Sequence, residues 1–523
     1  MRPELLPKDI LFDNDAHAKI ARGVEVVYKV AKSAYGPKAG NVMYEMNWPV
    51  GSAKISRDGV TNIRQISLPD RTENMAVKAV RVASEKNNSA VGDGTTAVGL
   101  LVYYYYTEGR KLVAAGHNQM AIAKSIQDSA IKAIEYIDSV KYDITEEDLL
   151  AVARVSSGDD AIAELLANTV KAVGTEGGIT VEEHAGLGVY ADVIDGFYMR
   201  KGFSNVNLIK DGATLSSDFE NVPILLLDKY VSDGKEMALI CNKVKGAGFS
   251  ELLILGDVVN DAMEFLERQR GAGTIIATVA GIPASSGMKT IVLDDVALLT
   301  GARVYKQGDT GSTFTVDYLG ACERALVDEL STTIIGGGGE GGVEKRITEL
   351  KAQLKKENHP VTVQSIKDRL SRLSGKVGIV KVGGATDIER EELRLRVDDA
   401  VCALQSARRD GTVPGGGTTL ARVVGTAFDR QLQRPFLELM SNAGENGELK
   451  LGKMLESPVG YGYDLKNPTD EPIDLRKAGI LDPTMVIKEV VRNAASIASS
   501  LITVNSTITY TDDIVKALEK LPR

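Results

Sequence analysis

Apolar residues near the start of the chain recur at intervals of three and four. Between Ala16 and Ser33 they fall at Ile20, Val24, Val27, Val30 and Ala31, which predicts a helix with one buried face. Gly36-Pro37 stops it. A turn-rich, β-like stretch follows to Leu68, with Gly51 and Asp58-Gly59 as turn signals. The helical interval returns from Glu73 to Asn88, ended by Asn87-Asn88, and from Thr95 to Ala115, ended by Gly116. Tyr103 to Tyr106 sits inside this third helix, with Glu108, Arg110 and Lys111 directly after it. The run reads as one buried and one interfacial face, with a subunit contact as one use.

From about Tyr190 the pattern changes. Short apolar runs, Pro223 to Leu227 and Glu251 to Leu255, alternate with helical stretches at Lys235 to Lys245 and Asp261 to Arg270. That alternation predicts an α/β module inserted into a helical protein. It closes on a charged helical pair, Val343 to Lys356 and Val363 to Leu373, broken at Asn358-His359-Pro360. Val343, Ile347, Leu350 and Leu354 form a core stripe in the first of these. After Gly411 the chain is helical again, with an apolar helix from Thr484 to about Thr503. Helical ends around a β-containing middle imply one discontinuous domain built from both termini. No solenoid repeat is present.

At 523 residues the chain calls for two to four domains. It is 43% hydrophobic and 25% charged, the profile of a globular protein. A formal charge of -9 argues against general nucleic-acid binding, which needs clustered Lys and Arg. Met1 to Leu6 has no apolar core of a secretory signal, and no window has the length of a membrane span. Cys241, Cys322 and Cys402 are far apart and odd in number, as suits a reducing compartment. His17, His117, His184 and His359 lack zinc-ligand spacing. The cytoplasm is the expected location.

The most informative segment is Gly92-Asp93-Gly94-Thr95-Thr96 at a helix start. Glycines admit close backbone approach, and a helix N-terminus offers free amides and positive dipole character to an anion. Two hydroxyls add donors. Asp93 would repel phosphate unless a cation lay between them, and Mg²⁺ takes oxygen ligands from both. The competing reading is a plain Asp N-cap. Tyr35-Gly36-Pro37 and Gly415-Gly416-Gly417 offer further backbone approaches, and Asp58 and Asp398-Asp399 further carboxylates. No Walker A Gly-Lys-Ser/Thr is present. Gly336 to Gly342 lacks that Lys as well and reads as a flexible connector.

In this order the segments resemble the group I chaperonins of the GroEL type. The resemblance rests on Ala34-Tyr35-Gly36-Pro37-Lys38, Arg57-Asp58-Gly59-Val60, Gly92 to Thr96, Ala114-Ala115-Gly116, Val397-Asp398-Asp399-Ala400, Gly415-Gly416-Gly417 and Gly479-Ile480-Leu481-Asp482-Pro483-Thr484. It implies a multidomain α+β fold. Residues 1–139 and 411–523 would form a helical equatorial ATP-binding domain. Residues 140–194 and 378–410 would form an intermediate hinge, and 195–377 an inserted α/β apical domain. It also implies an ATP-dependent chaperone that forms a homo-oligomeric ring, heptameric in the family, and encloses non-native polypeptides. A GroES-like co-chaperonin is an implied partner; nucleic acid and membrane are not. ATP, Mg²⁺ and potassium are the implied cofactors, and the location is cytoplasmic, or the host cytoplasm for a virus-encoded member.

The family's site residues carry over position by position. The phosphate loop falls on Asp93, Gly94, Thr95, Thr96 and Ala97, with Asp93 holding Mg²⁺. The acidic residue that activates water falls on Asp399, with Asp58 on the same pocket. Ala34, Tyr35, Gly36, Pro37, Arg57, Gly416 and Asp482 match further nucleotide contacts. Arg57 stands where the family has Lys, and Ala34 and Ala97 where it has Thr. The polypeptide-binding ridge falls on Phe203, Asn207, Leu208, Ala238, Cys241, Met263, Glu267 and Arg268, with Phe203, Leu208 and Met263 expected to offer apolar surface. Glu267 and Arg268 replace valines. The family's Pro-Gly-Phe-Gly-Asp-Arg-Arg-Lys stretch becomes Pro283-Ala284-Ser285-Ser286-Gly287-Met288-Lys289. The segment from Gly417 to about Pro435 is short, and the chain ends Leu521-Pro522-Arg523 without a Gly-Gly-Met tail, so a single ring, or a ring pair held differently, is the expectation. Two rivals stand beside this reading: an ATP-binding ring or scaffold without folding activity, and a small-molecule kinase.

Overall fold

A computed structural model describes residues 7–45, 53–174, 178–184, 186–199, 201–212, 215–282, 286–329, 331–337, 339, 342–355, 362, 366, 369–370, 373 and 375–511. The chain forms two compact units: Met1–Ala167 with Glu183–Val189 and Val382–Arg523, and Asn168–Glu182 with Tyr190–Lys381. Where the resemblance implies three domains, residues 140–167 and 382–410 of the implied hinge lie in the first unit.

The first unit is helical and is closed by both ends of the chain. Lys8–Phe12 pairs antiparallel with Ser506–Tyr510, so sequence-distant termini share one two-stranded sheet. The helix Asp13–Ser33 buries Ala16, Ile20, Val24, Val27 and Ala31, while Val30 from the sequence-read stripe stays half-exposed. That face packs with helices Arg71–Val91, Thr95–Ala114, Gln119–Ser139 and Thr484–Ile502 around one core, which contains Val80, Leu101, Tyr105, Ile126, Val490 and Ala498. At roughly 25 cal/mol per Å² of apolar area, such burial is the dominant gain of the fold.

Two boundaries differ from the sequence reading. Asn87-Asn88 does not end the second helix; Gly92 does, at φ 68°, a left-handed conformation that closes the last turn and that glycine adopts without a Cβ penalty. Asp58-Gly59 is not a turn between strands. Asp58 caps the short helix Gly59–Gln65, accepting from the amides of Val60 at 3.3 Å and Thr61 at 2.8 Å. The expected β character upstream is a hairpin, Val42–Glu45 with Ala53–Ser56; Gly51 lies outside the described residues. In the aromatic run, Tyr105 and Tyr106 are buried, whereas Tyr103 stacks on Tyr28 with ring centroids 4.0 Å apart.

The second unit is built on a sheet. Pro223–Val231, Glu251–Val258 and Ile276–Ala280 run parallel, connected by helices Gly234–Gly246 and Asn260–Gly271. Gly320–Val327 continues the sheet antiparallel. This is the α/β module expected from the alternation of short apolar runs and helical stretches. In the helix Gly342–Leu354, Leu350 is buried, with Val343, Ile347 and Leu354 packed about it. Gly336 and Gly337 belong to the strand Thr332–Gly337 rather than to a connector; Gly338, Glu340 and Gly341 lie outside the described residues. So do Met1 to Leu6, Asn358-His359-Pro360, Pro283 to Ser285, most of the second charged helix, and Leu521 to Arg523. Among the described residues no helix is long and apolar enough to cross a membrane.

Candidate functional site

The helix Thr95–Ala114 begins at Gly94, which is left-handed at φ 76°, and no side chain caps its start. Asp93 is therefore not the N-cap. Among the described residues its Oδ1 accepts only the adjacent Gly94 amide, at 2.5 Å. The first-turn amides and the positive end of the helix dipole are left for an anion. The loop is held from below: Asn87 Nδ2 donates to the Asp93 carbonyl at 2.6 Å, and Asn493 Nδ2 to Asn87 Oδ1 at 3.2 Å. Gly59 is pressed against it, since a Cβ there would lie 2.2 Å from Thr96 Oγ1 and 2.6 Å from Thr96 N.

Three more carboxylates converge on this loop from separate parts of the first unit. Asp58 arrives as the cap of its short helix, and Asp399 on the helix Asp387–Asp410. Asp482 lies on Leu481–Pro483, which pairs with Thr412–Pro414. The long helix that carries Asp399 touches the loop through Cys402, whose Sγ would be 2.3 Å from a Cβ at Gly92. Each acid keeps part of its surface open while protein packs round it.

The electrostatics follow from that crowding. Burial, then Asp58, Asp93 and Asp398, push the Asp399 carboxyl well above the usual range. Burial also raises Asp93, with Asp58 adding to the effect and the Gly94 amide opposing it. Asp482 is pushed up to about 7 by burial and Asp93, against a Gly416 amide that donates to it. Among the described residues none of Asp58, Asp93, Asp399 and Asp482 is ion-paired, and no group of three or more His, Cys, Asp or Glu is set to hold a metal. Mutually repelling acids beside an anion-ready helix start fit a divalent cation whose remaining ligands come from phosphate and water.

This arrangement gives a pH signature. A folded Asp482 holds its proton between 3.8 and about 7, where the unfolded chain has released it, so stability from this group falls as pH rises through that window. Without magnesium nucleotide, Asp482→Asn is expected to raise the melting temperature more at about pH 8 than at about pH 5. A gain equal at both pH values would contradict the crowded-acid arrangement.

Ala34 is the buried C-cap of the first helix. Arg57 Nη2 donates to the Gly36 carbonyl at 2.9 Å, so the guanidinium that replaces Lys ties down the first glycine turn. Tyr35 has its phenol pushed up by burial, then by Asp482, Asp93 and Glu438. Pro37 is exposed. A Cβ at Gly416 (φ 64°) would meet nothing within 4 Å, whereas one at Gly417 would meet the Phe436 backbone at 3.0 Å. Gly416 thus faces open space. Gly92 belongs to the segment singled out from the sequence, whereas Asn87, read there as a helix stop, and Cys402, read as one of three scattered thiols, were not assigned to the site; of these two only Asn87, an amide within an apolar helix pattern, carried a signal.

In the second unit the expected ridge is partly core. Leu208 is fully buried and Cys241 nearly so, both in one cluster with Leu225 and Ile254, so neither offers surface. The turn Val206–Leu208 points Leu208 inward, and the exposed apolar residue there is Val206, at 51%. Met263 is half-buried on the same cluster, and Phe203 half-buried on the neighbouring one. Ala238 is half-exposed; Asn207 and Arg268 are exposed. Glu267 accepts from the side-chain amides of Asn205 at 2.8 Å and Asn207 at 3.1 Å, which hold its carboxyl below the usual range.

A helical unit closed by both termini, holding acids around an anion-ready helix start, and a separate α/β unit together define a chaperonin subunit. The TCP-1/cpn60 chaperonin family model matches residues 27–426, and the chain belongs to that family, as a divergent group I member. The chaperonin gp146 from bacteriophage EL 2 (Pseudomonas aeruginosa), crystallised in the presence of ATP-BeFx, is similar in fold. Its crystal form II gives a TM-score of 0.70 at 18% identity, covering 97% of this chain and 99% of that one. Form I gives 0.62 at 18% identity, covering 95% and 98%.

Proposed function

We propose that this chain is an ATP-hydrolysing chaperone subunit that assembles into a homo-oligomeric ring and encloses non-native polypeptides. The observation that carries the reading is the meeting of Asp399, from a helix some three hundred positions downstream, with the uncapped loop at Asp93. Asp93 would hold Mg²⁺, which when bound supplies charge neutralisation between the acids and the phosphates. Thr95, Thr96 and the first-turn amides bind phosphate oxygens, while Tyr35, Gly36, Arg57 and Gly416 shape the rest of the recess. Asp399 Oδ takes the proton of the attacking water, with Asp58 setting its charge environment. A raised pKa suits a general base working near neutral pH. Asp399 lies in the implied hinge, 140–194 with 378–410, so hinge movement couples hydrolysis to the apical residues 195–377.

Potassium, a GroES-like co-chaperonin, a heptameric ring and a cytoplasmic setting belong to this proposal as family expectations. Ring presentation matters here because the ridge is weak: Leu208 and Cys241 are buried, and Glu267 is engaged by two amides. Repetition raises effective concentration where one subunit would bind poorly. The same weakness favours the scaffold rival. Refolding of a denatured client with ATP, with and without a co-chaperonin, separates them, and is expected to give ATP-dependent recovery alongside rings in electron micrographs. Nucleotide binding with no client recovery would favour the scaffold.

A further inference from the structure

The helix Asp429–Asn442 touches both glycine turns of the nucleotide recess, yet supplies none of the acids. Through Leu439 it packs on Gly36, where a Cβ would lie 2.3 Å from Leu439 Cδ2. Through Phe436 it supports Gly417. One turn further on, Asn442 Nδ2 donates to the carbonyls of Lys32 and Tyr35, both at 2.8 Å. The position of this helix therefore decides where both turns stand.

What holds the helix is a carboxylate in an apolar stretch. Glu438 is 6% exposed, and three donors from two other helices converge on it. Tyr28 Oη donates to it at 2.8 Å, Tyr104 Oη donates to it as well, and Lys32 Nζ forms an ion pair with it at 2.8 Å. Burial opposes its ionisation, but Lys32, Tyr104 and Tyr28 outweigh that and hold its carboxyl below the usual range. The donors are themselves fixed: Tyr28 stacks on Tyr103, and Arg434, one turn before Glu438, lies over the Tyr104 ring at 5.3 Å. A buried charge with so many charge-assisted bonds has one favoured geometry, which makes it a register pin rather than a surface ion pair.

We propose that Glu438 is a positioning residue for nucleotide binding, setting the Tyr35-Gly36 and Gly416-Gly417 turns through the helix it anchors. The proposal rests on the nucleotide reading of the recess. Glu438 touches no reacting atom, so its loss moves affinity and leaves chemistry alone.

The test measures the Kd of a fluorescent ATP analogue, with KM and kcat for ATP, in wild type, Glu438→Ala, Glu438→Gln, Asn442→Ala and the Glu438→Ala/Asn442→Ala double variant. A residue that acts on a site through packing, without touching the ligand, shifts affinity by roughly 10-fold. Glu438→Ala and Asn442→Ala are expected to raise Kd and KM by about that factor, with kcat at saturation unchanged. Glu438→Gln keeps acceptors for the tyrosines and loses the charge facing Lys32, so a smaller rise is expected. The double variant is expected to fall short of the product of the singles, because both act on the Tyr35 turn. Folded Glu438→Gln and Asn442→Ala with wild-type Kd, or a fall in kcat at unchanged KM, overturn the proposal. Should wild type itself bind no nucleotide, the reading of the recess fails first, and the Glu438 proposal falls with it.

Discussion

Asp399→Ala is expected to lower ATP turnover by about 10²- to 10⁴-fold while leaving nucleotide affinity within a few-fold of wild type, the range a positioned general base contributes. The asymmetry follows from where the residue sits. Asp93, the glycine turns and the start of the helix Thr95–Ala114 hold their geometry through Asn87, Gly59 and Arg57, none of which depends on the Asp399 carboxylate. Removing an acid whose proton affinity is raised by burial and then by Asp58 and Asp93 also relieves repulsion, so binding has no reason to weaken. Asp399→Asn is the sharper control, being nearly isosteric and unable to take a proton. Turnover by either variant at the wild-type rate, in a single-turnover assay with saturating magnesium nucleotide, would refute the assignment. A comparable loss of affinity would instead make Asp399 a binding residue.

The second large effect is expected from one added methyl group. In Gly59→Ala the new Cβ would lie 2.2 Å from Thr96 Oγ1, 2.6 Å from Thr96 N and 2.7 Å from Thr95 Oγ1. A hydroxyl can rotate away, but the Thr96 backbone amide cannot without moving the first turn of the helix. Thr95 is 5% exposed, and a Cβ at Gly94 would already meet Val490 at 2.7 Å, so the loop has little room to retreat. The whole recess must widen. A displacement on the order of 1 Å costs about 100-fold in rate at a preorganised site, and the atoms displaced here are those set to bind phosphate, so ATP affinity should fall together with turnover. Overall stability should change far less, because the strain can be released by opening the recess rather than the core around Leu101 and Val490. Calorimetric titration with a non-hydrolysable ATP analogue and a parallel thermal melt would separate the two. Unchanged affinity would show that Gly59 does not set the wall of the site.

Much of this protein is written in local pattern. The stripe Ile20, Val24, Val27 and Ala31 needed only its spacing to be read as a core face, because a helix repeats every 3.6 residues whatever surrounds it. The α/β alternation after Tyr190 was equally plain, and Gly94-Thr95-Thr96 could be placed at a helix start from composition. Errors fell where a local signal competes with its context. Asn87-Asn88 resembles a helix stop, yet Asn87 is buried and occupied with the Asp93 carbonyl. Leu208 resembles surface by position in the family pattern, yet the preceding turn rotates it into the core.

Chain order was enough to specify the helical shell, the inserted sheet unit and the set of acids and glycines available for chemistry, since each depends on neighbours a few positions away. Folding alone determined that Asp93 stands within Coulombic reach of Asp58, Asp399 and Asp482, that Arg57 grips Gly36, and that Glu438 is buried among tyrosines from other helices. Those relations join residues up to about four hundred positions apart. No periodicity encodes such distances; only packing, which brings remote segments within hydrogen-bonding and Coulombic reach, can set them.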